Sequence, residues 1–191
     1  MARLSAKVRR EEFIIAAARV IATTGVSGAT TRKIAAEAGA PLAALHYCFE
    51  SKEALFQALY EEQIKTMGES TWTIKPGIGV AETAAAMVPQ LMEWYEQEPD
   101  YAQASGDLMF WSHHNDRALA ELGVNAALEV MRETLRKGVS GPEERKLVEP
   151  LATLVLALTD GLLLQWLTFK DTQLRDKGVA AAMRALRCFA N

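Results

Sequence analysis

The run from Thr30 to Lys52, TTRKIAAEAGAPLAALHYCFESK, constrains this chain more than any other stretch, because it reads as two short helices joined at a glycine and followed by the start of a third. Thr30 and Thr31 offer a hydroxyl cap, Ile34, Ala35 and Ala38 mark one apolar helical face, and Gly39 stands where a left-handed residue ends a helix. Pro41 suits the first turn of the next helix, where its missing N–H costs nothing, and Leu45 with Phe49 one turn later gives that helix a side to bury. Isolated helices below about 12–15 residues are marginal in water, so each must pack on a neighbour.

The neighbours are legible on both sides. Upstream, Phe13, Ile14, Ala17, Val20 and Ile21 recur at helical spacing, and the segment closes at Thr23-Thr24-Gly25. Downstream, Ser51 is a good N-cap, Glu53 falls in the first turn, where the helix dipole favours an acid, and Leu55, Phe56, Leu59, Tyr60 and Ile64 carry an apolar face onward. Three helices around one small core follow. With its inner side spent on packing, the helix predicted over 41–48 is expected to turn Leu42, Ala43, His46 and Tyr47 outward, the arrangement of a helix-turn-helix recognition helix.

The same residues carry a family resemblance. Thr30-Thr31-Arg32-Lys33-Ile34-Ala35, the Ala38-Gly39 turn, Leu45-His46-Tyr47, Phe49 and Ser51-Lys52-Glu53-Ala54-Leu55 resemble, in register, the N-terminal signature of the tetracycline-repressor (TetR) family of bacterial transcription regulators. The resemblance is close over the first third of the chain. Beyond it, only the helical layout and the segment Leu154–Leu167, which is similar to the family's dimerisation helix, continue the match. It implies a homodimer that represses or activates a promoter on double-stranded DNA and lets go when a small-molecule effector binds. It also implies a DNA-contacting set of Thr30, Thr31, Arg32, Leu42, Ala43, His46, Tyr47 and Lys52, in which Thr31 with its helix N-terminus, Tyr47 and Lys52 grip the phosphate backbone.

The outward face of the second helix departs from the family. Leu42, Ala43 and Ala44 stand where mainly polar or small residues are usual, and His46 where a tyrosine is. Apolar side chains meet a thymine methyl but make none of the bidentate contacts that discriminate most strongly. Arg32 matches a base-reading position of the tetracycline repressor and is the residue here able to hold guanine O6 and N7 together. The alternative role for Arg32 is one more phosphate contact.

Bulk properties set the remaining bounds. Half of the 191 residues are hydrophobic, enough for a real core in one or two domains. The opening MARLSAKVRREEF is basic, then acidic, with no apolar run long enough for a signal peptide, so a cytoplasmic location is expected. Cys48 and Cys188 fit no metal or redox spacing, and two free thiols are expected rather than a disulfide. The net charge of −3 is unevenly shared: eight Lys/Arg against four Asp/Glu in residues 1–52 give +4, leaving −7 for residues 53–191. A phosphate backbone attracts only the basic end.

Past residue 68 the chain is a series of amphipathic helices with expected breaks at Met67-Gly68, Lys75-Pro76-Gly77, Glu98-Pro99, Asn115-Asp116 and Ser140-Gly141-Pro142. No period-2 alternation is long enough for a strand, so the fold class is all-α. The predicted helices cover 7–24, 31–38, 41–48, 52–68, 79–97, 100–114, 117–138, 143–169 and 175–189. The expected organisation is a three-helix helix-turn-helix DNA-binding domain over residues 1–52 and a larger helical effector-binding and dimerisation domain over residues 53–191.

Leu151–Phe169, LATLVLALTDGLLLQWLTF, is apolar nearly all round and long enough to be weighed as a membrane span. Asp160 at its middle opposes insertion, though the leucines can offset one charge. Context decides for burial between a subunit and its copy, with Gly161 allowing close helix approach. The helix over 175–189, with Val179, Met183, Leu186 and Phe189 on one stripe, is expected to join it, so that residues 147–169 and 175–189 form a four-helix homodimer interface and no membrane is involved.

Aromatic residues gather in the middle helices: Trp72, Trp94, Tyr95, Tyr101, Phe110 and Trp111, then Trp166. With Met87, Met92 and Met109 they either fill plain core or line a cavity for the effector that the resemblance implies. The expected effector set is Met87, Trp94, Tyr95, Phe110, Trp111 and His114, with Tyr95, His113 or His114 as orienting polar groups. Adjacent helical residues point about 100° apart, so His113 and His114 do not chelate one metal, and no metal or cofactor is assigned. An enzyme is not expected, because the chain lacks a Gly-rich phosphate loop, a nucleophile elbow and catalytic His/Cys spacings. A helical adaptor that binds only protein would not need an exposed His-Tyr helix on a basic domain.

Overall fold

The computed structural model describes residues 6–70 and 73–189, which hold nine α-helices, one 3-10 turn and no strand. The helices are α1 (Ala6–Gly28), α2 (Thr31–Glu37), α3 (Leu42–Cys48), α4 (Lys52–Ser70), α5 (Val80–Gln97), α6 (Pro99–Asn115), α7 (Arg117–Gly138), α8 (Val148–Phe169) and α9 (Thr172–Cys188). The fold is all-α, as the periodicity predicts. Three local features differ from the sequence expectation. Gly25 interrupts α1 with φ 67° and ψ 167°, a backbone state reserved for glycine, but the helix resumes to Gly28. No break falls at Met67-Gly68, because α4 runs through to Ser70. The single helix expected over 143–169 is a 3-10 turn, Pro142–Leu147, followed by α8. Pro150 explains the split: it lacks an N–H and is tolerated only in the first turn of an α-helix.

The chain divides into two compact units, Met1–Gln63 with Pro99–Glu121 and Ile64–Glu98 with Leu122–Asn191. In the first unit, Phe13, Ala17 and Ile21 of α1, Ile34 of α2, Leu45 of α3, and Leu55, Phe56 and Leu59 of α4 share one buried cluster with Ala104 and Leu108 of α6. Helix α1 packs against α6. The expected boundary between residues 52 and 53 is therefore the start of a helix whose first turns complete the reading core.

In the second unit, α5 packs against α8 and α9. Met87, Val88, Leu91 and Met92 of α5, Met131 and Leu135 of α7, Leu151, Val155, Leu162 and Leu163 of α8, and Leu186 of α9 are buried. The first amide of α5, on Val80, has no side-chain cap of its own. Glu144 supplies one from the 3-10 turn, accepting from Val80 N at 3.3 Å and from Ser140 N at 2.8 Å. These amides, that of Ser140 foremost, hold the Glu144 carboxyl below its usual range. Trp166 of α8 lies 5.4 Å beneath the guanidinium of Arg175, which also pairs with Glu96, so one arginine ties α5, α8 and α9 together.

The stretch Pro142–Phe169 is long and apolar enough to cross a membrane by length and composition, yet α8 uses Leu151, Ala152, Val155, Thr159, Leu162 and Leu163 as core of this unit. Thr153, Ala157 and Leu164 on its other side are exposed. Leu186 does not stand on an outer stripe with Phe189 as expected: it is fully buried within the unit, while Phe189 is exposed. At Gly178 α9 lies close to α8: a Cβ there would come within 2.6 Å of Leu162 Cδ2, the tip of a leucine side chain.

Asp160 is largely buried on α8, and burial raises its pKa from 3.8 to about 6. The folded state thus holds this proton more tightly than the unfolded chain. Stability is greatest below the unfolded value and falls as pH rises through about 6. Asp160→Asn should stabilise the protein by about 2 kcal/mol at pH 7 and flatten the loss of stability between pH 4 and pH 6. Urea unfolding across that range checks this, and an unchanged pH profile in the variant would remove Asp160 as its source.

Candidate nucleic-acid interface

The site is built on α2, α3 and the start of α4. Thr30 caps α2 by accepting from Lys33 N at 3.3 Å. At the other end, Gly39 adopts φ 59°, Gly39 N donates to Ala36 O at 3.0 Å and Ala40 N to Ala35 O at 2.9 Å. This pair of bonds is a Schellman stop, which turns the chain from α2 into α3. A Cβ on Gly39 would meet nothing within 4 Å, so Gly39→Ala should cost about 1–2 kcal/mol through backbone strain alone. Unfolding measurements on that variant are the check; a cost of zero would mean the turn relaxes freely.

Pro41 stands one residue earlier than expected, as the N-cap of α3 with ψ 141° rather than inside its first turn. Leu45 is fully buried and Phe49 nearly so, which fixes the inner side of α3. Ala43, His46 and Tyr47 face solvent, and Tyr47 is 85% exposed, an unusual state for so large a ring. Leu42 does not point outward as expected: with Ala44 it is half-buried against the same core. A seven-residue helix turns only about twice, so a residue three before Leu45 shares its buried side.

The end of α3 is held by Arg10 of α1. Its guanidinium stacks 4.3 Å over the Phe49 ring and donates to Cys48 O at 3.1 Å, a cation on the negative end of the helix dipole. Sequence reasoning missed this residue, since its partner lies 38 positions away. Ser51 caps α4 by accepting from Ala54 N at 3.0 Å. Lys52 follows at the first position of α4, and Arg32 and Lys33 sit exposed in the first turn of α2. Lys33 is engaged by Gly28 O at 2.9 Å, and Thr31 is half-buried.

The six expected effector residues are divided between the units. Met87, Trp94 and Tyr95 belong to the second, with Met87 and Tyr95 buried and Trp94 half-buried. Phe110, Trp111 and His114 belong to the first, where Phe110 is 53% exposed, His114 is exposed, and Trp111 meets Phe56 edge-to-face. Nδ1 of His113 and of His114 lie 2.7 Å and 3.4 Å from carbonyls of their own helix, Met109 O and Phe110 O. Trp72 lies outside the described residues.

A short exposed helix set by a capped partner helix, on the basic end of an all-α chain, is the geometry of a helix-turn-helix. Comparison with known proteins agrees. Residues 13–59 match the model of the bacterial regulatory proteins of the tetR family. The nicotine-responsive transcriptional repressor HdnoR of Paenarthrobacter nicotinovorans is 34% identical over 122 residues, which are 60% of this chain and 61% of that repressor's length. A TetR transcription regulator from Haloarcula marismortui has the same fold, with a TM-score of 0.74 at 18% identity over 93% of this chain and 96% of that one. So does the regulator FadR from Bacillus subtilis, solved with stearoyl-CoA, with a TM-score of 0.71 at 17% identity over 92% and 96%. The family likeness is therefore one of residues 13–59, and the fold likeness one of nearly the whole chain.

Proposed function

We infer that this protein is a cytoplasmic transcriptional repressor that binds an inverted-repeat operator as a homodimer and is released by a small-molecule effector. The observation that carries the reading is the exposed face of α3, Ala43, His46 and Tyr47, flanked by Arg32 and Lys52 and backed by a fully packed inner side. Thr31, Tyr47 and Lys52 grip phosphates, which positions the reader without specifying sequence. The readers are paired through residues 147–169 and 175–189, where the outer face of α8 offers Ala157 and Leu164 to a second copy in place of a membrane. A nicotine-responsive relative and an acyl-CoA-bound structural neighbour support an amphipathic effector, which Met87, Trp94 and Tyr95 of the second unit receive. Release requires that the effector bind two states of the dimer with different affinity. Incubating the protein with fragmented genomic DNA and sequencing what is retained tests the core of this reading. Recovery of inverted repeats supports it, and retention without any shared sequence refutes it.

Arg32 is the direct base reader of the set. Arg32→Ala should cost about 1–3 kcal/mol of operator affinity and erase the preference at one base pair per half-site in a panel of single-base variants. A uniform loss across the panel, every preference retained, would move Arg32 to the phosphate backbone.

A further inference from the structure

Trp111 lies far in sequence from the reading helices, yet its ring stands beside a residue of the DNA-contacting set. The Lys52 ammonium is 5.2 Å from the centroid of Phe56, one turn further along α4, and 5.9 Å from the ring of Trp111, which α6 brings to the same place. Phe56 is fully buried and meets Trp111 with centroids 5.8 Å apart at 84°, so the two rings form a fixed corner. Both distances fall within cation–π range. Among the described residues, no carboxylate stands within ion-pair distance of Lys52, and the corner is what restrains its ammonium.

We propose that Trp111 is a positioning residue for DNA binding, which with Phe56 holds the Lys52 ammonium in place to meet a phosphate. Resting on the DNA-binding reading above, this assignment replaces the expected role of Trp111 as an effector contact. A free lysine side chain loses rotamer freedom when a ligand fixes it, and a cation already held on aromatic faces loses less. Ring faces occupy no conventional hydrogen-bond donor, so the three ammonium N–H groups stay available for phosphate oxygens. A carboxylate partner would restrain the lysine equally well but would compete with the phosphate for the same charge. The aromatic corner does the first without the second.

Full-length protein, a fluorescently labelled duplex of arbitrary sequence and an anisotropy titration at several salt concentrations test the proposal, since phosphate contacts need no operator. Trp111→Leu should weaken binding by about 3–5-fold while Trp111→Phe, which keeps a ring face, stays within about 2-fold of the parent. Lys52→Ala should lower the salt slope by about one per subunit, and in that background Trp111→Leu should have no further effect. Equal losses from Trp111→Leu in both backgrounds would overturn the positioning role and leave the DNA-binding reading intact. Absence of salt-dependent duplex binding by the parent protein would overturn that reading and this proposal with it. A measurement on the parent protein alone does not depend on how the variants fold: ring currents should move the Lys52 side-chain methylene protons upfield in NMR spectra. Random-coil positions for those protons would also overturn it.

Discussion

Gly138→Ala should destabilise the protein by about 3 kcal/mol, the upper end of what overpacking one methyl group costs. The new Cβ would lie 2.7 Å from Thr83 Cβ and closer still to the Thr83 hydroxyl. Thr83 cannot swing clear: it is fully buried in α5, and its hydroxyl donates to Gly79 O at 2.8 Å. The backbone on the other side is equally committed, with Gly77 N donating to Lys137 O at 3.0 Å and Gly79 N to Gly138 O at 2.8 Å. Both atoms in the collision are therefore stubs rather than flexible ends, so the helix ends themselves must part. For a chain of this length the expected fall in Tm is about 6–12 °C. Gly141→Ala is the control, because a Cβ there meets nothing within 4 Å. Thermal and urea unfolding of the two variants should separate widely; equal midpoints would show that the α5–α7 junction relaxes at no cost.

If the protein pairs as proposed, Gly161→Trp should convert the dimer to monomers and weaken operator binding by at least about 100-fold, the range over which linked sites gain from acting together. Within one subunit the substitution has room, since a Cβ at Gly161 meets nothing within 4 Å. Burial by the chain's own core is spent on the opposite side of α8, at Val155, Thr159 and Leu162. An indole at Gly161 thus leaves the fold alone and obstructs only what approaches from outside. Sedimentation velocity at micromolar concentration, beside circular dichroism to verify the fold, reads the result. A variant that remained dimeric would move the interface elsewhere, and a monomer with full operator affinity would end the two-fold argument.

Much of this molecule could be read before any coordinates were known, and what escaped has a common physical origin. The stop at Gly39 and the caps at Thr30 and Ser51 are local events, each settled within about five residues, and the structure has them where the sequence puts them. The 3-10 turn ahead of α8 was equally local and equally legible, through Pro150, but the apolar run that follows it hid the signal. Other misses depend on distant partners. The apolar period of α9 does not say which side meets α5 and α8, so Leu186 reads as one member of a dimer-facing stripe whereas it is core. Trp111 and Arg10 look like an aromatic and a surface charge until α6 packs on α1 and α1 reaches the end of α3. Leu42 escapes the sequence for a geometric reason, because on a helix of two turns the pattern assigns a residue near the boundary of the buried arc to either side.

The two sides of α3 also bear on how such a regulator changes over generations. Leu45, with Phe49 just past the end, carries the packing, whereas Ala43, His46 and Tyr47 are exposed. Substituting any of these three touches folding only through helix propensity, within about 0.7 kcal/mol per ordinary residue. On the DNA-binding reading proposed above, a gene duplicate can therefore drift at Ala43 and His46 to a new set of target promoters one letter at a time without first accumulating compensating stability elsewhere. Retargeting is then limited by what the new side chains find on the DNA, not by whether the protein still folds.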